Sequence, residues 1–121
     1  MTLGYVVLSK FPGAIHWRDG GICILCGIDC DLLRAWLSHY RRIDWNLFKA
    51  ASAVLTAAGF DLHLFKLWQA DHIVPVSEGG PTTMENGRIL CHPCHKRVTK
   101  EMHQRRKAAR SSPYASKSAE R

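Results

Sequence analysis

Residues 71–95 read DHIVPVSEGGPTTMENGRILCHPCH, and this stretch contains the order of elements that decides the fold. The sequence ADHIVPV at 70–76 predicts a short strand, the SEGGP segment predicts a loop, and residues 88–90 predict a return strand. A helix is expected to begin near Pro93, because proline is favoured in the first turn of a helix. The sequence therefore predicts a strand–loop–strand–helix unit, which we place at about residues 67–104.

Two helices are predicted upstream of this unit, within about residues 29–60. Asp31 and Asp44 are their candidate N-caps, and Gly59 fits the C-terminal stop of the second helix. We expect the aromatic side chains of both helices to pack in the core. The residues at helical spacing are Leu32, Leu33, Trp36, Leu37, Tyr40, Trp45, Phe48, Ala51 and Leu55. The FPG sequence at 11–13 is expected to break whatever precedes it.

Positive charge is concentrated towards the end of the chain. The 121 residues have the size of one domain, and 17 Lys and Arg against 10 Asp and Glu give a net charge of +7. Residues 1–95 contain eight basic and eight acidic side chains, whereas residues 96–121 contain nine and two. Such a basic stretch indicates a nucleic-acid partner bound through its phosphates. The residues expected to make these contacts are Lys96, Arg97, Lys100, Arg105, Arg106 and Lys107.

We expect one domain at residues 1–104 and a basic, mobile tail at residues 105–121, since the last residues have little to bury. A solvated tail without a partner has the same composition, so that interpretation stays open. No apolar run approaches the ~18 residues of a membrane span, and the N-terminus lacks the features of a signal peptide. The sequence predicts a protein that is not secreted and has no membrane partner. It is expected in the cytoplasm, or with nucleic acid in a nucleoid or nucleus.

The five cysteines form two C-x-x-C pairs, Cys23 with Cys26 and Cys91 with Cys94, and leave Cys30 over. Two such pairs can complete the tetrahedral ligand set of a structural zinc ion. Disulfides are the alternative, but a reducing compartment and an odd number of cysteines disfavour them. We therefore predict a structural Zn²⁺ held by the two pairs. The remaining cysteine is expected to be a small buried apolar residue.

Between the two pairs lie residues with the chemistry of a catalytic site. Asp71 and His72 are adjacent on a predicted strand, so their side chains point to opposite faces and suit different roles. Asp71 and His95 can share a divalent ion, and His72 can act beside it as a general base. Asn86 lies in the connection between the strands. His92, inside the second cysteine pair, is expected at the surface.

This stretch resembles the HNH endonucleases, whose motif is a ββα-metal finger. The residues that carry the resemblance are Asp71, His72, Ile73, Pro75, Gly79, Gly80, Asn86, Leu90, Cys91, Cys94 and His95. The sequence RDGGICILCG at 18–27 is similar to the family's first zinc knuckle, and the match covers roughly residues 18–100. The pattern WxxDHIxPV at 68–76 and the helical segment before it look most like the HNH domain of the annealing helicase and endonuclease that remodels stalled forks.

The resemblance implies an α+β fold in which a ββα-metal finger is joined to a two-knuckle zinc site and an added helical segment. It also implies a metal-dependent DNA endonuclease that hydrolyses phosphodiester bonds. In that family pattern Asp71 and His95 hold Mg²⁺ or Mn²⁺, and His72 takes a proton from the attacking water. Asn86 holds the loop so that His72 keeps its orientation. The zinc ion is purely structural.

Two other functions stay open at this point. A zinc-stabilised nucleic-acid-binding module without catalysis needs the knuckles and the basic tail, but it does not need Asp71, His72 and His95 together. A nuclease subunit of a larger protein assembly is the second alternative. It would receive its specificity from a partner, because phosphate contacts made by a basic tail do not read bases.

Overall fold

The computed structural model describes residues 6–111. Four helices and two strands follow one another as α1 (Phe11–Asp19), α2 (Cys30–Ile43), α3 (Trp45–Ala58), β1 (Trp68–His72), β2 (Gly87–Cys91) and α4 (His92–Ser111). Short 3₁₀ turns lie at Leu8–Lys10 and Val76–Glu78. The two strands form one antiparallel sheet. This arrangement confirms the predicted α+β fold class, with the ββα unit at the carboxyl side of the described chain.

The β-hairpin sets Asp71 and His72, at the end of β1, opposite the first residues of β2. In its register Asp71 lies opposite Arg88, and His72 lies opposite Gly87. The first strand ends at His72 rather than at the predicted residue 76. It ends early because the backbone N–H and C=O of Val74 bond to the side chain of Asn86 instead of to a partner strand.

Helix α1 is the element that the sequence analysis missed. The FPG sequence at 11–13 forms its first turn, where the missing N–H of proline leaves no hydrogen bond unmade. Phe11 and Ile15 are buried at 2% and 0% exposure. A Cβ atom at Gly87 would collide with both of these side chains, so the absence of a side chain there lets α1 lie directly against β2.

The cap of α2 differs from the prediction, whereas that of α3 agrees with it. Asp29, not Asp31, accepts the N–H of Leu32 at 3.0 Å. Asp29 has the extended backbone that an N-cap requires, whereas Asp31 already lies in the first helical turn. The Asp31 carboxylate instead pairs with His16 of α1 at 2.6 Å. Asp44 caps α3 as predicted.

The apolar residues of α2 and α3 are buried unequally. Leu37 is 1% exposed, but Leu32 is 68% and Trp45 is 54% exposed, and no residue of α3 is fully buried. The expected core position of Trp45 is therefore wrong. Helical spacing identifies an apolar face, but here the two helices pack against each other and leave an apolar groove open between them.

Helix α4 continues beyond residue 104, the predicted end of the domain, to Ser111. Residues 105–111 therefore belong to the same helix as Cys94 and His95. The rest of the predicted tail, residues 112–121, lies outside the described residues, and its mobility stays a prediction. None of the described helices combines the length and the apolarity that a membrane crossing requires.

Candidate active site

The four paired cysteines converge at the junction of the hairpin and α4. The sulfur atoms of Cys23, Cys26, Cys91 and Cys94 all lie within 4.8 Å of one another, and those of Cys26 and Cys91 are 3.6 Å apart. Four sulfurs about 2.3 Å from a tetrahedral zinc ion lie about 3.8 Å apart. None of the five cysteines, all within the described part of the chain, forms a disulfide. The cluster thus fits a structural Zn²⁺.

Backbone hydrogen bonds hold the first knuckle against the hairpin. The N–H of Ile24 donates to the carbonyl of Ile89 on β2 at 3.0 Å, and the N–H of Cys23 donates to that of Ile28 at 2.9 Å. Gly27 closes the knuckle with a φ of +79°, which a residue without Cβ adopts easily. The second knuckle is formed by the end of β2 and the first turn of α4. The cysteine cluster therefore joins the segment between α1 and α2 to the hairpin and α4.

The pKa of Cys23 is lowered, whereas burial raises the pKa values of Cys91, Cys94 and Cys30. Burial opposes the Cys23 thiolate, but backbone N–H groups of Cys91, Cys26 and Leu25 bond to its sulfur and lower its pKa to about 6. A thiolate is the form that binds zinc. Burial and the nearby Cys23 charge raise the pKa of Cys30 to about 12, so it stays a neutral thiol. It is fully buried and lies outside the cluster, as predicted.

A cleft of about 380 Å³ lies between the two strands, the loop that joins them and α4. It brings together three of the residues predicted to form the catalytic site. Asp71, His72 and His95 all line it, together with Arg88 and Arg105. Asp71 and His72 point to opposite faces of β1, as predicted for neighbouring strand residues. The Asp71 carboxylate turns towards His95 on α4, whereas the His72 ring contacts Phe11 on α1.

The Asp71 carboxylate has a different partner at each oxygen. Its Oδ1 lies 3.9 Å from Nε2 of His95, and its Oδ2 accepts a hydrogen bond from Nε of Arg88 at 3.0 Å. Two donors at about 2.1 Å from one divalent ion can be at most about 4.2 Å apart. The spacing of Asp71 and His95 therefore fits two ligands of one shared ion, with an oxygen and a nitrogen donor.

The His72 ring is held from two sides. It stacks on Phe11 of α1 with ring centroids 4.4 Å apart and planes 11° apart. Its Nε2 lies 3.0 Å from Oγ1 of Thr82. With its ring orientation set by stacking and by a hydroxyl partner, this imidazole still lines the cleft next to Asp71.

Asn86 organises the loop between the strands and does not line the cleft. Its side chain accepts the N–H of Val74 at 2.9 Å and donates to the carbonyl oxygens of Val74 and Pro81 at 3.0 and 2.7 Å. A Cβ at Gly80 would overlap the carbonyl of Val74, so the loop closes tightly at that point. These contacts suit the positioning role predicted for Asn86, since the loop begins directly after His72.

Three of the six basic residues expected to bind nucleic acid have partners within the chain. The Lys96 ammonium donates at 2.9 Å to the carboxylate of Asp61, which lies just beyond the end of α3. A guanidinium nitrogen of Arg97 lies 3.9 Å from a sulfur of the second knuckle. Arg106 donates to the hydroxyl of Ser77. Lys96 and Arg106 join α4 to neighbouring segments, whereas the partner of Arg97, Cys94, lies on α4 itself.

The other three basic residues lie on two different sides of α4. Arg105 lines the cleft together with Asp71 and His95. Lys100 and Lys107, two helical turns apart, do not line the cleft; they border a separate groove along α4 that His95 also borders. A basic strip, defined here as Lys100 and Lys107, therefore extends away from the proposed ion ligands.

His92 is buried rather than at the surface, which corrects the prediction for this residue. It is 2% exposed, and its Nδ1 accepts the backbone N–H of Asp61 at 3.0 Å. Burial lowers the pKa of His92, which favours the neutral ring that this hydrogen bond requires. Local sequence gives no sign of this burial, because the partner of His92 lies beyond the end of α3, 31 positions earlier.

The comparison with protein families agrees with this geometry. The family model described as HNH endonuclease matches residues 59–101. This HNH segment contains the hairpin, the cleft residues Asp71, His72 and His95, and the second knuckle, whereas the first knuckle and α1 lie before it. Comparisons with curated proteins and with solved structures give no match. The HNH segment indicates nuclease activity in general and a nucleic-acid substrate.

Proposed function

We propose that the protein is a DNA endonuclease that hydrolyses phosphodiester bonds with one divalent ion and a histidine general base. The observation that carries this proposal is the convergence of Asp71, His72 and His95 on one cleft of the HNH segment. A binding module without catalysis has no use for a carboxylate and two imidazoles placed together next to a basic helix. The proposal therefore takes catalysis, rather than binding alone, as the function of the cleft.

Each cleft residue has a distinct task in this proposal. Asp71 and His95 would hold Mg²⁺ or Mn²⁺, which supplies Lewis-acid stabilisation of the charge that develops on the phosphate oxygens. We assign the Nε2–H of His72 as a donor to Thr82, which leaves the Nδ1 lone pair free to accept a proton from the attacking water. Asn86 fixes the loop after His72 and so preserves the orientation of the ring.

The zinc cluster does no chemistry in this proposal. It fastens α4, which carries His95, to β2 and the first knuckle, and so sets the distance between His95 and Asp71. The similarity of the helical segment to the annealing helicase and endonuclease type makes branched DNA a substrate worth testing. A larger assembly that supplies specificity is a further hypothesis of the same kind.

The direct test is incubation of the purified protein with Mg²⁺ or Mn²⁺ and a panel of plasmid, single-stranded, flap and fork DNAs. We expect cleavage that requires the divalent ion and stops when EDTA is added. DNA binding without cleavage of any substrate, by protein that binds Mn²⁺ and is fully folded, would favour the non-catalytic binding module instead.

The basic strip is expected to bind phosphates without changing where the DNA is cut. Each cation removed from the interface with a duplex flattens the slope of log K against log salt by roughly 0.9, so replacing Lys100 and Lys107 by Gln should flatten it by up to about 1.8. The measurement is DNA affinity by fluorescence anisotropy over a series of salt concentrations. Truncation after residue 104 is less informative, because it also removes Arg105 from the cleft.

Lys49→Gln is the matched control for this measurement. Lys49 is exposed on α3 and does not border the groove that Lys100 and Lys107 border, and its replacement removes one charge of the same kind. An unchanged salt slope in the Lys100 and Lys107 variant, equal to that of the control, would remove the basic strip from the DNA interface.

A further inference from the structure

Arg88 is a residue of the cleft to which the sequence analysis gave no role. It lies on β2 directly opposite Asp71. Its side chain is 17% exposed and that of Asp71 is 19% exposed, so their ion pair is largely shielded from bulk water. The bond joins one guanidinium nitrogen, Nε, to one carboxylate oxygen, Oδ2, at 3.0 Å. The second oxygen, Oδ1, is left facing His95.

The outer edge of the guanidinium group has no partner of its own. Among residues 6–111 the two Nη atoms of Arg88 make no hydrogen bond. They are not among the buried side-chain atoms that lack a partner, so they are accessible to solvent, and Arg88 is one of the residues that line the cleft. Four N–H groups of a planar cation are thus available to a ligand in that space, next to His72 and Arg105.

We propose that Arg88 is a positioning and phosphate-binding residue of the cleft. The proposal rests on the function proposed above. The Nε–H group holds Oδ2 of Asp71 and so keeps Oδ1 directed to the shared ion. The Nη–H groups bind the non-bridging oxygens of the phosphate that occupies the cleft.

The chemistry of a guanidinium and a phosphate supports separate roles for Nε and the Nη atoms of Arg88. A guanidinium presents parallel N–H donors that match two phosphate oxygens. Charge grows on those oxygens as water attacks, so a fixed donor in a shielded cleft stabilises the transition state more than the substrate. Since Asp71 uses only Nε, both interactions can exist at once.

Two variants separate the two roles. In Arg88→Gln the amide nitrogen takes the position of Nε, so a donor to Asp71 is kept while both Nη atoms are lost. In Arg88→Ala both the donor and the Nη atoms are lost. The variants carry the same charge, so a difference between them in ion affinity reports the donor alone. Arg42→Ala, on the exposed last turn of α2, is the control for loss of an arginine elsewhere.

The positioning role is tested by Mn²⁺ binding in the absence of DNA, followed by electron paramagnetic resonance of the free ion. Loss of a group that orients a metal ligand typically weakens metal affinity by about 10- to 100-fold. We expect the Mn²⁺ Kd of Arg88→Ala to be at least about tenfold above that of Arg88→Gln. Equal Kd values in the two variants, each shown to be folded by circular dichroism, overturn the positioning role.

The phosphate-binding role is tested by single-turnover cleavage at saturating Mn²⁺. Removing one transition-state donor costs about 10²–10³ in rate, so we expect both Arg88 variants to be slowed by about 10²-fold and Arg42→Ala to match the wild type. Added guanidinium ion should raise the rate of Arg88→Ala. An unchanged rate in Arg88→Gln, or no response of Arg88→Ala to guanidinium, overturns this role.

If the protein is not an endonuclease, the results differ from those expected if only the roles of Arg88 are wrong. Wild-type protein that cleaves none of the DNAs overturns the endonuclease proposal and the phosphate-binding role together. The Mn²⁺ comparison between Arg88→Ala and Arg88→Gln still decides the positioning role in that case, because it needs no cleavage.

Discussion

Replacing His72 by alanine is expected to lower the DNA cleavage rate by about 10²–10⁴-fold and to leave DNA binding largely intact. The variant loses the proton acceptor that we assign to Nδ1, but it keeps both proposed ion ligands, Asp71 and His95. The measurement is single-turnover cleavage at saturating divalent ion, with DNA affinity determined in parallel.

His63→Ala is the control for loss of an imidazole outside the cleft. His63 is exposed, and it lies between α3 and β1 without lining the cleft. We expect the control to cleave at the wild-type rate. Because the His72 ring also packs on Phe11, circular dichroism must show that the His72 variant is folded. A folded His72→Ala protein with near-wild-type activity would refute the general-base assignment.

Replacing any one cysteine of the cluster by serine, for example Cys91→Ser, is expected to unfold the domain or cause it to aggregate. Structural zinc in small zinc-finger peptides contributes on the order of 10–16 kcal/mol of apparent binding free energy. That is as large as the whole free energy of unfolding of a typical domain, about 5–15 kcal/mol. Circular dichroism and thermal unfolding measure the loss, and elemental analysis measures bound zinc.

Cys30→Ser is the matched control, because it makes the same chemical change at a buried cysteine outside the cluster. We expect this variant to fold, to retain one zinc ion per chain and to lose much less stability than the cluster variants. Folded wild-type protein that contains no zinc after purification without chelator would contradict the assignment of the cluster.

Much of the fold follows from features that lie close together in the sequence. Each C-x-x-C pair brings its own two sulfurs together, so spacing identifies the four cysteines of the cluster, although only the fold brings the two pairs together. Strand alternation separates the side chains of Asp71 and His72, because neighbouring residues of a strand point to opposite faces. The cap of α3 at Asp44 is equally local, since a carboxylate needs only the N–H groups of the next turn.

Other features depend on contacts between distant parts of the chain. Pro12 and Gly13 suggested a break, but burial of Phe11 and Ile15 against the hairpin stabilises a helix there. Arg88 acquires its place in the cleft only through the antiparallel register that sets it opposite Asp71. The local sequence pattern predicts neither the packing of α1 on the hairpin nor the residues that pair between the strands.

The basic residues of α4 show most clearly what local sequence determines and what the tertiary structure decides. The order of residues is enough to show that α4 is basic and that it carries His95. Which of its cations stay available depends on the folded chain, because Lys96 and Arg106 find acceptors beyond the end of α3 and on the loop after β1. A cation whose acceptor lies some 30 positions away cannot be told from a free one by composition, since the folding of the intervening chain brings the two together.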